Sequence, residues 1–515
     1  MTTERGLTTE EGLHQPVDDA DTEVRILEYL KNSDDTSDIT AEVKYNLQWI
    51  KRKLAKVKDI IAENRETRLT VGEEKSRAVA AKVSDSDYRL FQGLKELSEL
   101  SLCLEECDDY EECFRYLSSD WTFREVLTMI SEHPNTDITA QIVSDLRDII
   151  EDDGDGERIT VKHAELGKCF AEVRLPDLLA TFLEKNPEDP DSSAACLTIL
   201  IGLFDYSAEV YNVLVRSSEL NLKIIELATI SNANDVTIVN QYAMEYLATL
   251  LTNIGTEKLL LEFCQAGTSS EIDIIDWLLV RLSRFRKMDF HSVSPEGKEY
   301  VENAVQLLSF LISTFPLCNR KFLDNEGVEL MLILISTEMK WQVKTGFKIL
   351  DFGTTNADFA SASVKSAILK PLFNHINFKR AASSLNVFLF GIIEKLFRYL
   401  AFDSDERLRL LNKLIDKDYR NLRKIIRFKK RKLEEGDQEE DEVNNILAWT
   451  AADVLTSPEK IKELFKEEDM NLKSDLEEPL KITIQISRES ATEENIEILE
   501  ILENLVHALQ ERYDL

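Results

Sequence analysis

Asp351-Phe352-Gly353, in the stretch LDFGTT, is the triplet with which protein kinases hold a catalytic metal ion. That chemistry also needs a Gly-rich loop over the nucleotide phosphates, a strand lysine and an HRD catalytic loop. None of these precedes the triplet, so no kinase chemistry is expected. EDDGDG offers Glu151, Asp153, Asp155 and Gly156 at the first positions of a calcium loop. Position twelve, which should be a bidentate glutamate, is Lys162, and an acidic surface turn is the better reading. Cys103, Cys107 and Cys113 could present three thiolates to zinc, but the nearest histidine, His133, lies far along the chain, and core packing accounts for them. The histidines (14, 133, 163, 291, 375 and 507) form no HExxH pair, and no Gly-x-Ser-x-Gly elbow or phosphate-binding glycine loop is present. The expectation is a protein without catalytic residues, metal or cofactor.

What remains is surface chemistry. In EIDIIDWLLVRLSRF, Ile272, Ile275, Leu278, Leu279 and Leu282 make one apolar face, and Asp273, Asp276, Trp277, Arg281 and Arg284 lie on the other. An indole among carboxylates suits a protein ligand, the acids attracting a basic segment and the ring offering a cation–π platform. Packing of Trp277 against a neighbouring helix is the other reading. The basic run FKKRK, with Lys429, Lys430, Arg431 and Lys432, has the letters of a nuclear-import signal and equally those of a solvated helix end.

The elements that would carry these residues repeat. WTFREVLTMI at 121, LPDLLATFL at 175, ELNLKIIELA at 219, DIIDWLLVRL at 273, GVELMLILI at 327, AILKPLFNHI at 367 and DYRNLRKIIRF at 418 all read as buried helices. Most follow another helix and a polar break, as in NAVQLLSFLIST, then LDNEG, then GVELMLIL, where Leu330 and Leu332 are expected inside. Their starts fall roughly 40–55 residues apart, the spacing of armadillo or HEAT units that hide their apolar faces only against neighbours. The fold expected is all-α: an armadillo/HEAT-like, right-handed superhelical solenoid with helical N- and C-terminal caps.

Residues 1–40 are acidic and are expected to be disordered. An N-terminal helical segment follows over 41–85, where Val43, Leu47, Ile50, Leu54, Val57 and Ile61 form a coiled-coil-like seam, used either on the next repeat or for self-association. Repeats are expected over 86–432, an acidic linker over 433–443 and a C-terminal helical cap over 444–515. There Ser457 reads as an N-cap before Pro458, and Ser490 and Glu493 have capping-box spacing. KITIQIS alternates like a strand, but lacks a partner strand and is read as a short irregular helix.

Bulk properties agree. The 515 residues hold only 16 Gly and 10 Pro, which favours long helices over a turn-rich β protein. A net charge of −34 disfavours nucleic-acid and anionic-membrane surfaces and suits basic protein partners. No run of about 18 apolar residues suggests a membrane span. Seven scattered cysteines read as reduced thiols.

CNRKFLDNEGVELMLILI with VKTGFKILDF resembles the beta-catenin-like protein 1 family, in which an NRERFLKGEGLQLM-like run leads to an ALKVLDHAM-like one. ERLRLLNKLIDKD (406–418), HPNTDITAQIVSDLRDIIEDD (133–153) and IIDWLLVRLSRFRKMDF are similar to further runs of that family. The matches span roughly 86–420, in the family's order. The resemblance implies a nuclear, armadillo-like scaffold associated with the spliceosome through its nineteen complex, binding basic segments of splicing factors. That family often carries a basic import signal near its N-terminus, whereas this N-terminus is acidic and leaves Lys429–Lys432 as the candidate. Two other functions fit the repeats: a cytosolic armadillo-type chaperone regulator, or an import-type adaptor for basic cargo.

Overall fold

The computed structural model describes residues 45–71, 77–151, 156–265, 272–337, 339–376, 384–434, 441–453, 458–489 and 493–513. The acidic N-terminus, Val43, residues 152–155 of the acidic turn, most of the acidic linker, and the capping residues Ser457 and Ser490 lie outside them. Among the described residues every regular element is a helix.

From Tyr110 onward the helices come in threes. The first triplet is Tyr110–Ser119, Trp121–Glu132 and Thr136–Glu151; the second is Gly156–Glu172, Leu175–Lys185 and Pro190–Gly202. Ala208–Arg216, Ser218–Leu227 and Ile238–Thr252 form the third, and Glu257–Gln265, Ile274–Ser283 and Pro295–Thr314 the fourth. Pro316–Asp324, Gly327–Ile335 and Lys340–Gly353 make the fifth, and Ala357–Lys365, Leu369–His375 and Ser384–Tyr399 the sixth. Asp405–Glu434 is broken by non-helical backbone at 416–419, so its two halves and Asp441–Asp453 complete a seventh.

Equivalent helices stack on one another. Each third helix packs on the third helix of the next triplet, from Thr136–Glu151 through to Asp441–Asp453. This ladder carries the apolar core, because its helices are flanked on both sides. Tyr246, Leu247, Tyr300, Leu308, Ile349 and Leu396 are all under 2% exposed.

The polar break between first and second helices has a backbone explanation. Arg174, Glu326 and Ala367 take left-handed φ angles of 54, 55 and 71°, and Lys417 to Tyr419 lie between 54 and 58°. A left-handed step reverses the chain within one or two residues, at a cost of roughly 1–2 kcal/mol for a side-chain-bearing residue. In LDNEG, Glu326 makes that step and Gly327 begins the next helix. A Cβ at Gly327 would sit 2.7 Å from the Phe322 ring, so the first helix can fold onto the second only without one.

The apolar helix Gly327–Ile335 buries Val328, Met331, Leu334 and Ile335, whereas Leu330 and Leu332 are only partly buried. Periodicity could not choose the face, because nearly every position of GVELMLILI is apolar. Leu334→Ala should therefore cost about 2–5 kcal/mol, transfer plus cavity, with Leu332→Ala clearly milder. Chemical denaturation of the two variants checks this; equal losses would contradict the observed register.

At the N-terminus, helix Leu47–Val71 buries Ile50, Leu54, Val57 and Ile61. It packs on Arg77–Lys95 and Trp121–Glu132, so this part of the coiled-coil-like seam is used inside the chain. Asn64 fixes the pairing by donating to Ser86 Oγ at 3.0 Å and Asp87 Oδ1 at 2.9 Å. At the C-terminus, KITIQIS is helical within Glu478–Glu489. With no strand among the described residues to complete its hydrogen bonds, the segment satisfies its backbone within itself. Ile484 is buried, and Ile482 and Ile486 are left exposed. The last helix, Glu493–Tyr513, is tied back by Tyr513, whose hydroxyl donates to the Ala451 carbonyl at 2.6 Å.

Candidate protein-binding face

The residues singled out for chemistry serve the fold. Asp351 pairs with Lys395 at 2.8 Å, and a Cβ on Gly353 would run into the Phe359 ring of the next helix. Cys103, Cys107 and Cys113 are buried free thiols, Cys107 and Cys113 touching at 3.3 Å. Burial pushes the Cys103 thiol up to about 12, so it stays protonated and is a poor metal ligand. Among the described residues no cluster of three or more His, Cys, Asp or Glu is arranged to hold a metal ion. Lys162, the anomalous calcium-loop position, is buried and donates to the carbonyls of Ile149 and Ile150, both at 3.3 Å.

Asp273 is the N-cap of helix Ile274–Ser283, accepting the amide N–H groups of Ile275 at 3.1 Å and Asp276 at 3.2 Å. Its other oxygen faces Asn325 at 3.3 Å and Lys321 at 3.8 Å, which clips the fourth triplet to the fifth. Trp277 is half-buried and donates from Nε1 to Thr229 Oγ1 at 3.2 Å, and the Arg281 guanidinium lies 5.1 Å from the indole centre. The platform offered by Trp277 is thus already covered by a cation of its own helix. Asp276 is exposed and remains open to a partner.

The basic run is in part a packing element, which corrects its reading as a solvated helix end. Lys429 is 6% exposed and donates to the Asp475 carbonyl, and Lys430 pairs with Asp469 at 3.6 Å. Arg431 is half-buried, and the side chain of Lys432 lies outside the described residues. A receptor that reads an extended basic segment would first have to detach Lys429 and Lys430 from the C-terminal helices.

A stronger protein-binding geometry lies on the ladder of third helices. On Ile238–Thr252 the accessible stripe is Gln241, Tyr242, Glu245, Thr249 and Thr252; on Pro295–Thr314 it includes Glu299, Glu302, Gln306 and Phe310. These positions recur at helical spacing, so stacking lines them up from one triplet to the next. Burial, and then the Glu299 carboxylate facing it, push the Glu245 carboxyl above its ordinary 4.5. Neither Glu245 nor Glu299 has an ion-pair partner among the described residues. Beside them Glu302 accepts the Trp341 indole N–H at 2.7 Å, and the indole stacks on Phe290 at 4.7 Å.

Two facing carboxylates without a cation between them form a site that an external Lys or Arg would neutralise, with Tyr242 and Trp341 beside it as apolar and cation–π surface. A second acidic point on the same ladder is Asp145, pushed to about 7 by burial and by Asp148, with Gln141 donating to it at 2.7 Å. Further along Trp341's own helix, Lys340–Gly353, the sign changes with Lys344 and Lys348. The sequence did hold a signal for these residues, since Glu245 interrupts the apolar run YAMEYLATLL. Its neighbour Glu299 lies on the third helix of the next triplet, so the pairing itself leaves no trace in a local window of sequence.

Residues 24–445 match the model of a family described as catenin-beta-like, Arm-motif containing nuclear. A beta-catenin-like protein 1 homolog from Schizosaccharomyces pombe (strain 972 / ATCC 24843) is 26% identical over 383 residues, which is 74% of this chain and 63% of that protein. The chain therefore spans less than two thirds of that relative. Among solved structures, an engineered protein superposes with a TM-score of 0.49 at 13% identity, over 90% of this chain and 99% of that one. A structure reported for a phosphorylation switch controlling the interaction between cadherin and beta-catenin gives a TM-score of 0.48 at 9% identity, over 86% and 68%. With helices stacked in threes and a family match across most of its length, the chain belongs to the catenin-beta-like, Arm-motif containing nuclear family.

Proposed function

We propose that this nuclear chain is a non-enzymatic scaffold that binds basic, extended segments of splicing factors and associates with the spliceosome. The observation that carries the binding mode is the uncompensated pair Glu245 and Glu299 on the ladder of third helices, with Glu302 and Trp341 beside it. A basic side chain entering there removes a like-charge repulsion that the free protein has to bear. The splicing assignment is supported by the resemblance over residues 86–420 and by the similarity to a beta-catenin-like protein 1 homolog. Asp276 remains a candidate contact on the neighbouring second helix.

Affinity purification of the tagged full chain from nuclear extract, followed by mass spectrometry and RNA sequencing, tests this. Splicing factors with lysine- and arginine-rich segments, together with small nuclear RNAs, are expected. Recovery of heat-shock ATPases would replace the reading by a chaperone regulator. Recovery of importin with soluble basic cargo would replace it by an import adaptor.

A further inference from the structure

Opposite in sign to the acidic face is a cavity of about 710 Å³ between the sixth and seventh triplets. One wall is the turn from Ala357–Lys365 into Leu369–His375, contributing Lys365 and Lys370. The other is the first half of the broken helix Asp405–Glu434, contributing Arg409, Lys413 and Lys417. A single carboxylate, Asp416, lines it, and that side chain accepts the amide N–H of Lys417 at 2.9 Å. Five cations around one concavity are unexpected in a chain of net charge −34.

Further along the same helix, Arg420 aside, the arginines as far as Arg427, and Lys430, are paired with carboxylates, whereas the charge around the cavity is largely not. Past the break, Arg423 pairs with Glu467 at 2.9 Å, Arg427 with Glu468 at 2.7 Å and Lys430 with Asp469 at 3.6 Å. Before it, Lys365 has Glu406 at 3.7 Å, while Lys370, Arg409, Lys413 and Lys417 have no carboxylate partner among the described residues. Arg409 and Lys413, four residues apart, share one helix face with Asn412 next to them. Both walls turn through left-handed backbone, at Ala367 and at Lys417, which places Lys365 and Lys370 across the cavity from Arg409 and Lys413. The exposed side chains Arg409, Asn412 and Lys413 belong to the run 406–418 that carried the resemblance. They bury no core, so packing does not account for them.

We propose that this cavity binds a phosphorylated serine or threonine in a segment of a partner protein. An arginine fork and several lysine point charges suit a phosphate dianion, the arginine taking two oxygens at once. Val364, Leu369 and Ile415 give the cavity an apolar wall for the residues flanking the phosphate. The volume lies within the range of compact ligand sites, about 300–1,000 Å³. Nucleic acid fits less well: Asp358, Asp403, Asp405 and Asp418 on the same two triplets are exposed, and a long polyanion leaving the cavity would meet them.

The test is fluorescence anisotropy on the full chain with three probes: a peptide library fixed on a central phosphoserine, the same library unphosphorylated, and a 20-nucleotide single-stranded RNA. The phosphoserine library should bind at least tenfold tighter than the other two. Inorganic phosphate should displace it only at far higher concentration. The double reversal Arg409→Glu with Lys413→Glu should abolish binding with an unchanged helical circular dichroism spectrum. Lys370→Glu, on the opposite wall, should do the same if the double variant is misfolded. Equal binding of the two libraries, tighter binding of RNA, displacement by phosphate at the peptide's own concentration, or undiminished binding by a folded variant would overturn the proposal.

Discussion

Replacing Arg407 by alanine should cost about 3–5 kcal/mol, the loss that follows when one partner of a buried ion pair is removed. The side chain is 4% exposed and ties three elements together. Nε donates to Asp453 Oδ2 at 2.7 Å, and Nη1 donates to the carbonyls of Phe397 at 2.5 Å and Leu400 at 2.7 Å. The guanidinium also lies 5.0 Å from the ring centre of Trp449 and 5.5 Å from that of Phe397. Phe397 lies in the last turn of helix Ser384–Tyr399 and Leu400 directly after it, where helical partners run out. Without Arg407 their carbonyls lose these bonds, and buried Asp453 loses its hydrogen-bonded cation and keeps only the weaker influence of Arg512.

Burial already holds the Asp453 carboxyl above its ordinary range, with Arg407 opposing that rise, so the variant should drive it further toward the neutral acid. Asp453→Asn added to Arg407→Ala should recover part of the loss. Urea denaturation followed by tryptophan fluorescence reads the effect, and limited proteolysis should show the helices after residue 441 loosening first. A loss under about 1 kcal/mol would mean that Arg407 is not what holds the seventh triplet together and onto the sixth.

Reversal of the facing acids, Glu245→Lys with Glu299→Lys, should weaken binding of a Lys-Lys-Lys-Arg-Lys peptide by roughly 30–100-fold, about 2–3 kcal/mol. The milder Glu245→Gln separates binding from folding, because its two effects have opposite sign. Glu245 has a raised folded-state pKa, so the native chain holds its proton more readily than the unfolded chain does. The resulting penalty is absent below the unfolded value, grows as pH rises through the folded value, and is complete above it. Glu245→Gln should therefore melt higher than the parent at pH 7–8, converge with it near pH 3–4, and bind the peptide more weakly. Affinity of the parent should also fall with added salt, since exposed pairing is screened over about 8 Å at physiological ionic strength. A Glu245→Gln protein that gains stability and keeps full affinity would move the basic-segment site elsewhere on the ladder.

The local pattern in the sequence was enough for the helices, their recurrence and the all-α stack. Apolar spacing, capping residues and scarce glycine act over a few residues, and each leaves its trace within one window of sequence. Even the strand-like KITIQIS could be read as helix, because a lone strand has nowhere to send its hydrogen bonds. The limits appear where a choice depends on a distant residue. Met331 and Leu334 were not separable from Leu330 and Leu332, since a short helix that is apolar all round has no polar side to orient it.

The same reason governs the site. Asp273 looked like a ligand contact until its own helix N-terminus and Lys321 claimed it, and Lys429 looked solvated until the Asp475 carbonyl did. Glu245 meets Glu299, Arg407 meets Asp453, and Lys365 shares a cavity with Arg409, each pair on different helices and separated by dozens of residues of chain. Sequence determined which residues carry charge and which faces are apolar, because those are properties of single side chains and short windows. Which charges are neutralised inside the chain and which are left for a partner was decided only by the stacking, because Coulombic pairing falls off over a few ångströms of space and takes no account of distance along the chain.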